Sequence, residues 1–191
     1  MNRLSPRISE ARQRLIEVVK HRSFQSGNEM KLASGRTSKF YFNMKPTMLD
    51  PEGSYLIAVL VLDLIKPDGA QLIGGLEMGA VPLATAVTTV SYAQGMPIQA
   101  FFVRKQVKEH GTQALLEGFA SGETMSGKRA IVIEDVTTTG GSALKAVTAI
   151  RDAGGDVAAV VTIVDRNEGA AETFAKAGVP FKPILSLEDF R

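Results

Sequence analysis

No cysteine occurs anywhere in the 191-residue chain. That excludes disulfides, thiolate metal sites and a cysteine nucleophile, and it agrees with a reducing cytoplasm. Long apolar runs are missing too. The longest, Leu56 to Ile65, is interrupted by Asp63, whereas a membrane-spanning helix needs roughly 20 apolar residues. The N-terminal residues are charged and lack the apolar core of a secretory leader. A soluble, cytoplasmic protein with no membrane partner is expected. Nor does charge of one sign dominate: a net charge of +2 is too small to argue for nucleic acid. No internal repeat, low-complexity tract or interdomain linker is visible. With 45% apolar and 22% charged residues, the chain is expected to build one sizeable core, a single structural domain.

What is present alternates. Ser5-Pro6 offers an N-cap with proline at the first helical position, and Ile8, Ala11, Leu15, Val18 and Val19 then share one helical face. Short strands are predicted at 30–33 and 39–44, around the polar turn Ser34-Gly35-Arg36-Thr37-Ser38. Asp50-Pro51 starts a helix that stops at Pro67-Asp68-Gly69. Further strands are predicted at 71–75, 98–103, 129–133, 157–164 and near 183–187, with helices at about 81–94, 142–153 and 169–177. This alternation implies right-handed crossovers and a mainly parallel sheet, hence an α/β fold. Ligands of such sheets bind beyond the carboxyl ends of the strands. Gly75-Leu76-Glu77, Arg104, Glu134-Asp135 and Asp165-Arg166 each follow an apolar strand, so they are expected to converge on that edge.

The most informative stretch runs from Ala130-Ile131-Val132-Ile133 through Glu134-Asp135 to Val136-Thr137-Thr138-Thr139-Gly140-Gly141-Ser142. Four apolar residues in a row predict a strand buried on both faces. Two carboxylates follow, then a Thr/Gly/Ser loop and a helix. Such a loop aims backbone N–H groups at one point, and the helix N-terminus adds partial positive charge. With its hydroxyls it suits a phosphate monoester. The acidic pair would repel that phosphate, so it must serve another part of the ligand. Vicinal ribose hydroxyls supply two O–H donors for two acceptors, and a ribose 5-phosphate is the ligand that satisfies both. The stretch is neither a Walker loop nor a G-x-G-x-x-G fingerprint. An ordinary strand–turn–helix with a solvated acidic tip is the plainer alternative.

A second stretch, Arg104-Lys105-Gln106-Val107-Lys108-Glu109-His110-Gly111-Thr112, places four potentially cationic groups within seven positions. It is too polar for a core element. A solvated basic hairpin is one reading. The other is a lid over a pyrophosphate, whose cations neutralise a leaving group as its charge grows.

These residues carry a resemblance. Residues 131–142 resemble the phosphoribosyl diphosphate (PRPP) motif of the type I phosphoribosyltransferases, with Glu134-Asp135 as the acidic pair. The pattern Arg-Lys-x-x-Lys-x-His-Gly resembles the catalytic loop of the orotate phosphoribosyltransferase family. Residues 32–43 are similar to that family's hood segment, residues 164–169 to its Asp-Arg-x-Glu-Gly segment, and residues 74–82 to its pyrophosphate loop. The resemblance spans about Lys31 to Glu172. It implies a type I phosphoribosyltransferase-like parallel sheet flanked by helices over residues 51–191, with a small hood from residues 1–50 and part of the C-terminus. It implies transfer of the 5-phosphoribosyl group from PRPP to orotate, giving orotidine 5′-monophosphate and pyrophosphate in pyrimidine (UMP) biosynthesis. Mg²⁺ carried mainly by PRPP, no metal site of the protein's own, and a homodimer sharing its lid loop are implied as well.

Residue by residue, the resemblance implies catalytic roles for Lys105, Glu134 and Asp135. PRPP contacts are implied for Arg104, Lys105, Lys108 and His110, and for Glu134, Asp135, Val136, Thr137, Thr138, Thr139, Gly140, Gly141 and Ser142. Orotate contacts are implied for Ser34 and Gly35 through turn amides, for Tyr41 and Phe42 through their rings, and for Thr138 and Arg166. Taken alone, Phe40 and Phe42 read equally as core, and Asp165-Arg166 as a surface salt bridge. Two departures stand out. No lysine or arginine occurs from Gln71 to Thr88, and Ala33 stands where some members have lysine. Both leave more of the diphosphate charge to the lid and to Mg²⁺. Two rival functions are weighed against this one. A purine phosphoribosyltransferase fits the lid pattern and Asp165-Arg166 poorly. A nucleic-acid-binding regulator on the same fold needs a basic face elsewhere, and the one dense basic cluster is the lid itself.

Overall fold

The computed structural model describes residues 7–31, 37–106 and 115–191. In chain order its elements are α1 (Ile8–Arg22), β1 (Phe24–Lys31), β2 (Thr37–Phe42), α2 (Lys45–Met48), α3 (Pro51–Ile65), β3 (Leu72–Leu76), α4 (Ala80–Ala93), β4 (Gln99–Val103), β5 (Leu116–Glu117), β6 (Arg129–Thr137), α5 (Gly141–Asp152), β7 (Asp156–Asp165), α6 (Ala170–Lys176) and β8 (Phe181–Ser186). Short 3-10 turns follow α3 and β8. Among the described residues, no helix is long and apolar enough to cross a membrane.

β6 shows why the sheet lies in the middle. Its side chains alternate, and both sets are buried. Ile131 and Ile133 face the core shared with α1, α3 and α4, whereas Ala130 and Val132 face the core shared with α5 and α6. A fully buried isoleucine contributes about 2–3 kcal/mol relative to exposure, so both faces of this strand add to the core. The six-stranded sheet runs β5-β4-β3-β6-β7-β8. All pairs are parallel except β4–β5. From β3 the chain crosses to β4 on one side, and from β6 it crosses to β7 and β8 on the other. A crevice therefore opens between the carboxyl ends of β3 and β6, as the topology of open α/β sheets requires.

Local signals place several boundaries. Asp50 caps α3, its Oδ2 accepting from the N–H groups of Glu52 (3.1 Å) and Gly53 (3.0 Å). Other boundaries correct the sequence expectation. β6 runs on to Thr137 instead of ending at Ile133, because Glu134, Val136 and Thr137 keep pairing with Thr162, Val164 and Asp165 of β7. The acidic pair thus stands within the strand, where a carboxylate breaks the apolar pattern without breaking the ladder. β1 begins at Phe24 and not at Met30. Its residues are mostly polar, and pairing with β2 together with burial of Phe24 against Phe42 and Phe190 holds it. The final strand is displaced towards Phe181, and α2 and β5 have no counterpart among the predicted elements. Ser5-Pro6 lies outside the described residues.

β1 and β2 form a separate antiparallel pair. The C-terminal turn closes against it. Phe190 packs on Phe24 and Phe42, and Arg12 of α1 holds Asp189 through two bonds of 2.7 and 2.8 Å.

Candidate active site

Two cavities meet at the crevice. The smaller, about 340 Å³, is lined by Glu134, residues 136–143 and Lys145. Gly140 caps α5 with φ +87°, and a Cβ there would come within 2.8 Å of the Phe174 ring. Only glycine fits both demands. Among the described residues no side chain caps α5, so its first-turn N–H groups are free for an anion. Thr138, Thr139, Gly141 and Ser142 all line this cavity. Thr137 reaches it as well, but its hydroxyl donates to Thr162 Oγ1 at 2.8 Å, and its carbonyl accepts from Arg166 N. Its hydroxyl proton is thus engaged inside the sheet.

The larger cavity, about 790 Å³, takes its walls from Glu77, Met78 and Gly79 after β3, Lys105 after β4, Glu134 and Asp135 on β6, Ser142, and Lys45, Met48 and Leu49 on or beside α2. Asp135 approaches Gly79 so closely that a Cβ there would lie 3.0 Å from Oδ1; the same Oδ1 accepts from Val136 N at 2.9 Å. Glu134 is buried, and its Oε2 meets no hydrogen-bond donor among the described residues. Burial, and secondarily the adjacent Asp135 charge, push the Glu134 carboxyl up to about 8, with Lys105 pulling the other way. A buried acid with an unsatisfied oxygen at a cavity wall awaits a donor or a cation.

The other predicted residues are distributed unevenly. Lys105 reaches the larger cavity, while Arg104 pairs instead with Glu117 across the β4–β5 edge at 3.6 Å. Lys108, His110, Ser34 and Gly35 lie outside the described residues. Arg166 is 3% exposed. Its Nε donates to Glu168 at 2.7 Å, one terminal nitrogen to the Phe40 carbonyl at 3.0 Å and the other to Ser38 Oγ at 3.0 Å. The surface pair with Asp165 is thus replaced by a buried clasp on β2. Phe42, 6% exposed, lies under this guanidinium at 6.0 Å and against Phe24 and Phe190. Its ring is core, the alternative that the sequence left open beside a face for the base. Tyr41, on the opposite side of β2, is 37% exposed. Two cavity cations, Lys145 and Lys45, escape the sequence reading. Only Lys145 carries a usable signal there, one helical turn past Gly141 on α5.

Residues 58–186 match the model of the phosphoribosyl transferase domain family. An orotate phosphoribosyltransferase of a Bradyrhizobium species (strain BTAi1) is 57% identical over 182 residues, covering 95% of this chain and 98% of its own. The chain belongs to the orotate phosphoribosyltransferase family. Two crystal structures of the Mycobacterium tuberculosis orotate phosphoribosyltransferase superpose on it. One, in complex with Fe(III) dicitrate, has a TM-score of 0.81 at 41% identity. The other, in complex with PRPP, has a TM-score of 0.77 at 38% identity. Each covers 94% of this chain and 98% of its own. The type I phosphoribosyltransferase fold expected from the motif is thus the fold of this family.

Proposed function

We propose that this chain transfers the 5-phosphoribosyl group from PRPP to orotate, releasing orotidine 5′-monophosphate and pyrophosphate for pyrimidine synthesis. The observation that carries the reading is the pairing of an uncapped α5 with the unsatisfied, buried Glu134 at the mouth of the same crevice, in a chain of this family. Thr138 to Ser142 and the first turn of α5 hold the 5-phosphate. Glu134 and Asp135 accept hydrogen bonds from the ribose hydroxyls and stabilise positive charge as C1 of the sugar becomes oxocarbenium-like. Orotate N1 attacks that carbon while its bond to the diphosphate oxygen breaks; the bond electrons leave with pyrophosphate, and the N1 proton is released to water. Lys105 neutralises the departing charge, where electrostatic help counts most. No enzymic nucleophile is needed; the protein positions two substrates. Arg166 and Thr138 border the orotate position, with Tyr41 of the hood above it.

Mg²⁺ belongs to this reading as a companion of the diphosphate. Glu134 and Asp135 line the larger cavity with oxygen donors, which fits a hard cation that also keeps phosphate and water ligands. Among the described residues no side-chain cluster could hold a metal by itself, so the rest of the shell falls to the diphosphate and to water. We further propose a cytoplasmic homodimer in which Lys108 and His110 reach the partner's site. Leu49 and Met78, 73% and 68% exposed beside the cavity, support an apolar contact there. Mixing Lys108→Ala with Asp135→Ala subunits should restore activity, since one intact site is rebuilt; no rescue would refute sharing. The primary test is optical: orotate absorbance should fall only when PRPP and Mg²⁺ are both present. Turnover of hypoxanthine or adenine in its place would overturn the choice of base.

A further inference from the structure

The stretch from Gln71 to Thr88 holds one charged residue, and it is an acid, Glu77. A carboxylate beside a diphosphate is electrostatically unfavourable, so its presence needs a reason. The structure supplies one. β3 and β4 pair as far as Leu76 and Val103, after which the chain beyond β3 turns away into α4. Glu77 N still donates to Val103 O at 2.8 Å. Its carboxylate then reaches across, and Oε1 accepts from Lys105 N at 2.8 Å. Between these two contacts, Arg104 N donates to Leu115 O at 2.8 Å. Three successive residues at the exit of β4 are thus held on alternate sides, and the last rung is a side chain standing in for the backbone that β3 no longer offers.

We propose that Glu77 is a positioning residue that sets the backbone from which Lys105 enters the cavity. The 2.8 Å hydrogen bond fixes the peptide plane from which the Lys105 side chain departs. The Lys105 ammonium makes no ion pair among the described residues. Glu77 therefore holds the backbone and leaves that charge to face the cavity. In this chain the pyrophosphate loop contributes to the leaving-group site through Lys105, in place of a cation of its own. The inference rests on the role given to Lys105 above.

The test uses the full-length protein, with Glu77→Gln, Glu77→Asp, Glu77→Ala and Lys105→Ala variants. Glutamine keeps an acceptor at the same reach and loses the charge; aspartate keeps the charge and loses the reach. Misplacing a catalytic group by an ångström costs on the order of 10²-fold. Glu77→Asp and Glu77→Ala should accordingly lose at least ~10-fold in kcat with the KM for orotate nearly unchanged, while Glu77→Gln stays within about threefold of wild type. Hydrogen exchange at the Lys105 amide should quicken at least ~10-fold in Glu77→Asp and remain slow in Glu77→Gln. Adding Glu77→Ala to Lys105→Ala should cost nothing more. Equal impairment of the Gln and Asp variants, unchanged exchange at Lys105, or additive losses in the double variant would overturn the proposal. A wild type that fails to consume orotate would instead sink the parent reading.

Discussion

The acidic pair on β6 and the arginine after β7 stand at the ends of neighbouring strands, yet they are held by different means. Glu134 and Asp135 continue a strand whose preceding residues are buried on both faces, and the phosphate loop follows in the same stretch of chain. Their own strand carries them, and its pairing with adjacent β7, Glu134 opposite Thr162, keeps them in place. Arg166 is positioned from afar: its partners Ser38 and Phe40 lie 128 and 126 residues away. The difference extends to chemistry. Glu134 keeps a buried oxygen without a donor among the described residues, whereas Arg166 places three of its N–H groups on protein acceptors. An unsatisfied buried group in a rigid frame waits for a ligand; a satisfied one holds the frame together. The Glu134 side of the crevice is preorganised and incomplete, and the Arg166 side is a clasp between the β1–β2 pair and the sheet.

If this contrast is right, removing each charge should separate activity from stability. Asp135→Ala should lower kcat/KM by roughly 10²–10³-fold, the usual cost of losing a group that meets developing charge, with Tm unchanged or slightly raised. Measuring both on one preparation checks it. A fall in Tm matching the fall in rate would show that the pair is structural after all. Arg166→Ala should do the reverse in emphasis. Breaking a buried, hydrogen-bonded cation costs roughly 2–4 kcal/mol, or a Tm drop of about 5–10 °C for a chain of this size. Arg166→Lys should rescue little, since an ammonium on a flexible stem cannot span three fixed acceptors.

The contrast also explains which parts of the site are legible in the amino-acid order. Strand, acid pair, glycine loop and helix can be read because each signal sits beside the next: apolar run, Glu134-Asp135, Gly140-Gly141, then a helical period. The misplaced end of β6 arises from the function itself, since a carboxylate inside a buried strand looks like the end of that strand. Phe24–Lys31 is hidden for the opposite reason. Polar residues dominate it, and pairing with β2 and packing on Phe190 decide its fate. Arg166 stands out in sequence as an unusual cation beside the wrong ionic neighbour, because Glu168 and the β2 acceptors meet it only after folding. Glu77 can be placed at the sheet edge from its strand, but its task cannot: an acid in a pyrophosphate loop has meaning only when Lys105 N stands 2.8 Å away.

A smaller effect tests the unsatisfied side through pH. The Glu134 carboxyl sits at about 8 when folded, against an ordinary 4.5. Between those values the folded protein binds the proton more tightly than the unfolded chain, so stability is highest below about 4.5 for this group and falls as pH rises towards 8. The loss is on the order of 2 kcal/mol once relaxation and water penetration around the carboxylate are allowed for. Glu134→Gln should flatten this slope and leave the free protein more stable than wild type at pH 8, while weakening PRPP binding. Urea titrations at several pH values measure the first, calorimetry with PRPP the second. A variant less stable than wild type at pH 8 would mean that the carboxylate is satisfied in a way the contrast denies.

The smallest effect concerns the one motif residue that belongs to both sides. Thr137 lines the smaller cavity, yet its hydroxyl is spent on Thr162 within the sheet. Thr162 is completely buried, so Thr162→Val keeps the shape and removes a hydroxyl that accepts from Thr137 at 2.8 Å and donates weakly to the Val164 carbonyl at 3.4 Å. The Thr137 proton then has no partner unless a ligand supplies one. Stability should fall by about 1 kcal/mol. If the hydroxyl serves only the sheet, the Kd for PRPP stays where it was. Should the freed hydroxyl turn to the 5-phosphate, binding would tighten and the loss would shrink on adding PRPP. The position of this one proton thus marks where the preorganised frame stops and the ligand's share of the hydrogen bonding begins.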